Sequence, residues 1–175
     1  HFAATIAAIR ARSPETLIEV LTPDFRGRAE SIETVVRARP DVYNHNLETI
    51  PRLYPTVRPQ ARFQRSLDLL KHVKDTDPTI LTKSGVMVGL GETDAEIRHL
   101  MDDLVRHRVD IFTIGQYLRP SLDHHDIIRF VTPEQFEIYK QWGAQAGFKF
   151  VASGPYVRSS YFAEEVMAGA VKMTC

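Results

Sequence analysis

Ser84-Gly85-Val86-Met87-Val88-Gly89-Leu90-Gly91-Glu92-Thr93-Asp94-Ala95-Glu96 is the stretch on which the fold turns. Its first half is a short apolar run ending in glycines, the pattern of a buried strand. Its second half is a capping box: the Thr93 hydroxyl accepts from the amide of Glu96, whose carboxylate reaches back to the Thr93 amide. Ile97, Leu100, Met101, Leu104 and Val105 then recur at i, i+3, i+4, i+7 and i+8, one apolar helix face. A buried strand running straight into a capped helix is the core of a βαβ unit.

The same alternation extends in both directions. Upstream, Phe2, Ile6 and Ile9 predict a helix closed by Ser13-Pro14, and residues 16–21 are a short β-branched strand. Ile32, Val35 and Val36 mark a helix that must stop before Pro40. Residues 42–46 read as a strand running into polar side chains, 47–54 as a helical turn, and 61–74 as a helix. Downstream, 109–117 is a strand, Thr132-Pro133 starts a helix with Thr as N-cap and Pro at N1, Gly147 ends it, and 148–152 is a last strand. Strands alternating with helices at this spacing predict an α/β fold with a parallel sheet and right-handed crossovers. Its chemistry belongs at the C-terminal edge of the strands.

The chain has 175 residues, 22 Lys+Arg against 22 Asp+Glu, and one Cys. That length suits one domain. Zero net charge argues against a nucleic-acid clamp, which needs an excess of cations. One Cys excludes an internal disulfide framework and any Cys-only metal site within the chain. No apolar run approaches the roughly 20 residues that span a bilayer. The opening His1-Phe2-Ala3 lies inside a helix pattern, so a fragment or a processed chain is expected.

Polar residues after strands are the candidates for chemistry. Gly89 and Gly91 let backbone approach a ligand, and Glu92 follows them; the plainer reading is a tight turn into the capped helix. Asn44-His45-Asn46-Leu47-Glu48-Thr49 offers four polar side chains, Asn44 and Glu48 among them, to ribose hydroxyls or an amino-acid head group, or is an Asn-capped turn. Lys83 and Ser84, read as preceding the Gly85 strand, would meet a carboxylate or stand in solvent. In Arg158-Ser159-Ser160-Tyr161, Arg158 lowers the cost of ionising Ser160 to a hard oxygen ligand, or Ser caps a helix. Glu96-Ile97-Arg98-His99 has no second copy and reads as helix surface, and Asp123-His124-His125-Asp126 as a solvated loop.

Taken in order, Glu19-Val20-Leu21-Thr22-Pro23-Asp24-Phe25, Asn44-His45-Asn46-Leu47-Glu48-Thr49, Ser66-Leu67-Asp68-Leu69-Leu70, Thr82-Lys83-Ser84-Gly85 through Glu92, Asp110 through Leu118, and Gly154-Pro155-Tyr156-Val157-Arg158-Ser159-Ser160-Tyr161 strongly resemble lipoyl synthase. Tyr156 and Phe162 stand where that family commonly has Leu and His. The resemblance implies a parallel partial (β/α) barrel of the radical S-adenosylmethionine type, here without its N-terminal part. It divides the chain into barrel (residues 1–152) and a C-terminal tail (153–175).

It further implies two 4Fe–4S clusters with three Cys each, all outside this chain, and S-adenosylmethionine as cofactor. One cluster cleaves S-adenosylmethionine; the auxiliary one is consumed as two sulfur atoms enter C6 and C8 of an octanoyl chain. Ser160 would be the auxiliary cluster's fourth ligand, with Arg158 supporting it. The strand 85–92 would lie along the adenine, with Asn44, Glu48, Lys83 and Ser84 toward the ribose and methionine ends. The implied partners are an octanoylated lipoyl carrier domain or protein and a reducing electron donor, with no nucleic acid and no membrane. The compartment would be the cytoplasm in a bacterium, the mitochondrion or plastid in a eukaryote. The chain alone, without the cluster cysteines, is expected to be inactive and to hold no cluster. Another radical S-adenosylmethionine sulfur-inserting enzyme, or a half-barrel that only binds a nucleotide or a carrier, are the competing readings.

Overall fold

The computed structural model describes residues 1–158. Five strands, β1 (Glu19–Leu21), β2 (Val42–Asn44), β3 (Leu81–Val88), β4 (Ile111–Gln116) and β5 (Phe150–Gly154), form one sheet in sequential order. Every neighbouring pair is parallel. The helices are α1 (Phe2–Arg12), α2 (Ala29–Arg37), α3 (Tyr54–Val57), α4 (Phe63–Thr76), α5 (Asp94–Arg106) and α6 (Pro133–Ala146). A doubly wound sheet reverses its strand order once, which sends helices to both faces; an order that never reverses keeps them on one face, as in a barrel wall.

The side chains record this division. Val20, Tyr43, Val86, Val88, Phe112, Ile114 and Val151 belong to the main core, with Ile32, Leu67, Leu70, Leu100 and Phe136 from the helices. Their strand neighbours, alternating to the opposite face, form a separate small cluster of Val42 and Ile111, with Leu81 and Phe150 packed against it. No helix among the described residues is long and apolar enough to cross a membrane.

Local signals hold at the helix ends. Thr93 and Glu96 form the capping box at α5, Thr132 caps α6, and Gly147 closes it at φ 109°. Three expectations are corrected. β3 begins at Leu81, so Lys83 and Ser84 lie inside the strand and do not precede it. Residues 47–50 are not helical: the chain there runs beside β3, with Glu48 at φ 67° pairing with Val86, and helical turns start only at Pro51. The backbone of Glu48 bonds Gly85 and Met87, and those ladder bonds outweigh helix propensity in 47–50. Finally, the last strand, read as 148–152, is Phe150–Gly154.

Candidate functional site

The strand register defines rows on the face away from the helices. Leu21, Asn44, Lys83, Ile111 and Phe150 align across all five strands. One step toward the C-terminal edge come Gly85, Thr113 and Ala152, and then Met87, Gly115 and Gly154. The wall thus thins from large residues to small ones as it nears the edge where chemistry is expected. Above the thin part lies a cavity of about 420 Å³, within the size range of small-molecule sites. Gly85, Met87, Thr113 and Gly115 form its floor; Asn46, Glu48 and Arg158 stand among its walls.

A polar cluster sits one row deeper. Lys83 is fully buried, and its ammonium donates to Glu19 Oε2 at 2.8 Å. Asn44, its register partner on β2, donates Nδ2 to Glu19 Oε1 at 2.8 Å. Asn44 Oδ1 is buried and accepts from no group among the described residues. Charges inside a wall of this kind persist only when paired, which is why Glu19 faces inward from an otherwise apolar strand. That alternation was the signal by which the sequence could have marked Glu19.

Asn46 and Glu48 form the lip of the cavity. Asn46 Oδ1 is also a buried acceptor without a donor, and a Cβ on Gly85 would come within 3.1 Å of it. Burial pushes the Glu48 carboxyl above the usual carboxylate range, against the Asn46 hydrogen bond and the charge of Arg58. Arg58 donates to the carbonyls of Asn46 (3.1 Å) and Leu47 (3.0 Å) and so braces this loop from behind. Sequence reading included Asn46 in its polar run without singling it out, and passed over Arg58.

His45, between them, points the other way. Its Nδ1 lies 2.8 Å from the Thr22 carbonyl, an acceptor only, so Nδ1 carries the proton and Nε2 accepts from Ser66 Oγ at 2.9 Å. Burial lowers its pKa below 6.5, with Arg58 and Arg65 acting in the same sense, against the Thr22 carbonyl and Asp24. The unfolded chain therefore binds more protons, and stability falls as pH drops from about 6.5 through the lower folded value. His45→Gln is expected to flatten that fall in urea midpoints compared between pH 7.5 and 5.5. Equal pH dependence in both proteins would refute it.

The remaining candidates separate. Ser84 faces the helices and accepts from the Leu47 amide at 3.3 Å, a tie for the loop. Gly89, at φ 97°, is approached by its own chain: its carbonyl takes the Ile128 amide at 2.8 Å, and a Cβ would strike the Arg129 carbonyl. Gly91, at φ 103°, packs near Ile128. Glu92 turns its buried carboxylate onto the amides of Gly89 (2.8 Å) and Leu90 (2.9 Å), closing the turn. These three build the strand-to-helix junction and do not line the cavity. Gly115 is approached by its own chain: a Cβ there would strike the Val157 carbonyl and meet Arg158 Nη1 at 3.1 Å. Ser160 lies outside the described residues.

The Radical SAM superfamily model matches residues 1–104. The chain is 58% identical to a lipoyl synthase of Rubrobacter xylanophilus over 94% of its own length and 51% of that protein. It is 58% identical to one of Caldanaerobacter subterraneus subsp. tengcongensis (94% and 57%) and 52% identical to one of Alkaliphilus metalliredigens (95% and 58%). It therefore spans about half the length of the curated relatives it matches. In structure it resembles a domain of pyruvate-formate lyase-activating enzyme from Bacteroides vulgatus, with TM-score 0.64 over 88% of this chain and 92% of that one. At 16% identity that likeness concerns the fold. The chain belongs to the radical SAM superfamily, and within it the lipoyl synthases are the proteins it matches along nearly its whole length.

Proposed function

We propose that the intact protein of which this chain is a part is a lipoyl synthase, and that this chain forms the wall on which S-adenosylmethionine lies. The observation that carries the reading is the cavity over Gly85 and beside Gly115, where the buried Asn46 acceptor lacks a donor among the described residues. An adenine ring needs a flat, side-chain-free floor, and ribose hydroxyls or an amino group need acceptors. The residues present fit that cofactor. Toward the iron–sulfur clusters the chain offers one Cys, and among the described residues no group of His, Cys, Asp or Glu is arranged to hold a metal. Cysteines outside this chain would hold the clusters, and the chain alone would be inactive.

S-adenosylmethionine, bound at a cluster held by cysteines outside this chain, would supply the radical chemistry for C6 and C8 of an octanoyl chain on a carrier lysine, and an auxiliary cluster would supply the sulfur. This chain's residues do the rest. Asn46 and Glu48 orient the sugar, the Glu19–Lys83–Asn44 cluster offers charge one row below, and the closed wall of small residues keeps water from a reactive site. Ser160, supported by Arg158, would give the auxiliary cluster an oxygen ligand, weaker for iron than a thiolate and so easier to release.

The test is the mass of an octanoylated carrier after reaction with the intact protein, S-adenosylmethionine and a reductant; a gain of two sulfur atoms is expected. A gain of none, with the clusters loaded, would contradict the reading. In the same assay Ser160→Cys should lower lipoyl product more than 5′-deoxyadenosine, because the tighter ligand hinders dismantling of the cluster. An equal fall in both would show that Ser160 acts through geometry.

A further inference from the structure

A second cavity, of about 680 Å³, opens beside the first and shares Leu21, Asn46 and Glu48 with it. Its character is different. Arg26, Arg58, Arg62 and Arg65 line it, against Asp24 and Glu48. Arg65 is neutralised by Asp24, with Nη2 to Oδ2 at 2.5 Å. Burial would raise the Asp24 carboxyl, but the Arg26 amide and Arg65 hold it below 3.8, so this pair is ionised. Among the described residues, Arg26, Arg58 and Arg62 pair with no carboxylate. Four arginines against Asp24 and Glu48 leave the groove with an excess of positive charge.

Two features show that this charge runs against local stability. Helix α4 begins with Arg62 as N-cap, makes no side-chain cap bond and has no acid in its first turn. A helix N-terminus favours anions, so Arg62 and Arg65 add to a positive end that sequence normally neutralises. Across the groove, Phe25, Arg26 and Gly27 take φ values of 47°, 55° and 75° in succession. Non-glycine residues hold such angles at a cost, and only when their surroundings impose them. Here Asp24 accepts from the Arg26 amide at 2.9 Å and is itself clamped by Arg65. The strained turn sets Arg26 on the groove.

We propose that this groove docks the acidic flanks of the protein segment that carries the octanoyl-lysine. The inference rests on the lipoyl synthase reading and adds to it the place and chemistry of carrier recognition. A lysine arm entering the first cavity crosses the shared lip at Leu21, Asn46 and Glu48. The backbone on either side of that lysine then lies over the arginines. An acidic segment supplies the carboxylates that Arg26, Arg58 and Arg62 lack.

The test uses the intact, cluster-loaded protein with Arg26→Glu and Arg62→Glu combined. Both residues are exposed, and Glu at the start of α4 suits the helix dipole, so the fold should hold. Two substrates are compared: an octanoylated carrier domain with acidic residues beside the lysine, and an octanoyl-lysine peptide with neutral flanks. The expected result is a KM and Kd for the carrier raised about tenfold at low salt, with kcat and the neutral peptide's KM unchanged. The salt dependence of carrier binding should flatten, and a carrier with those acids changed to Lys should regain affinity for the variant. Equal KM changes for both substrates, or none, would overturn docking. So would a lowered melting midpoint with kcat reduced for both, the result expected if the chain's own preceding segment fills the groove. A carrier that binds the unmodified protein but gains no sulfur would overturn the lipoyl synthase reading alone, since Kd is read without turnover.

Discussion

In the intact protein, Gly85→Val is expected to weaken S-adenosylmethionine binding about a hundredfold, equivalent to roughly 2.8 kcal/mol. Gly85 is the floor of the cavity, and any side chain there rises into it. Its Cβ would strike Thr113 Oγ1 and come within 3.1 Å of Asn46 Oδ1. The first contact overpacks the wall and should cost about 1–3 kcal/mol of stability. The second displaces the acceptor proposed for the cofactor. The two effects can be separated with Thr113→Ala in the same chain, which removes the hydroxyl Cβ would strike. The double variant should regain stability by urea unfolding and still fail to bind cofactor by equilibrium dialysis. Binding restored along with stability would mean that Gly85 serves packing only.

Asp110→Ala should act in the opposite manner, with a large loss of stability, about 3–5 kcal/mol, from a site that touches no cofactor. Asp110 precedes β4, at the end of the sheet remote from the cavity. Its carboxylate is nearly buried and meets Lys74 Nζ at 2.6 Å, Lys149 Nζ at 3.0 Å and the Thr82 amide at 2.8 Å. Burial alone would raise its pKa; the two lysines and the Thr82 amide bring it below 3.8. A depressed carboxylate stabilises the fold above its unfolded pKa and loses that contribution as pH falls through the folded value, so the contribution is complete at pH 7. Removing it leaves Lys74, itself buried, as an unpaired cation. Lys74→Met added to Asp110→Ala should recover part of the loss. A cost under about 1 kcal/mol for the single variant would show that water reaches this pair and screens it.

The contrast between the two sites explains what was legible in the sequence. Helix boundaries were, because Thr93 with Glu96, Thr132 with Pro133, and Gly147 are local devices whose chemistry acts within four residues. Strand existence was, from β-branched runs. The depth of Lys83 was not: a lysine in a strand reads as a strand end unless its partner is known, and Glu19 is 64 residues away. The path of 47–50 was hidden for the same reason, since only pairing with β3 holds Glu48 at a positive φ. Gly89, Gly91 and Glu92 were marked for the cofactor, with a tight turn as the plainer reading; the neighbour of the two glycines is the chain's own 128–129 segment, a contact no local pattern announces. The arginine groove escaped notice because its members come from a loop after β1, a loop after α3 and the first turn of α4. The one local clue was arginine at a helix start where an acid is favoured.

The central claim is that S-adenosylmethionine lies on the face of the sheet away from the helices, between Asn46 and Gly115. An azido-adenine analogue of the cofactor, photolysed in the cluster-loaded intact protein and mapped by peptide mass, tests it most directly. The account predicts label on peptides containing residues 46–48, 85–88 and 115–118, competed away by the natural cofactor. Competable label confined to residues around Lys74, Asp110 and Lys149, or falling on the helix-covered face, would contradict it.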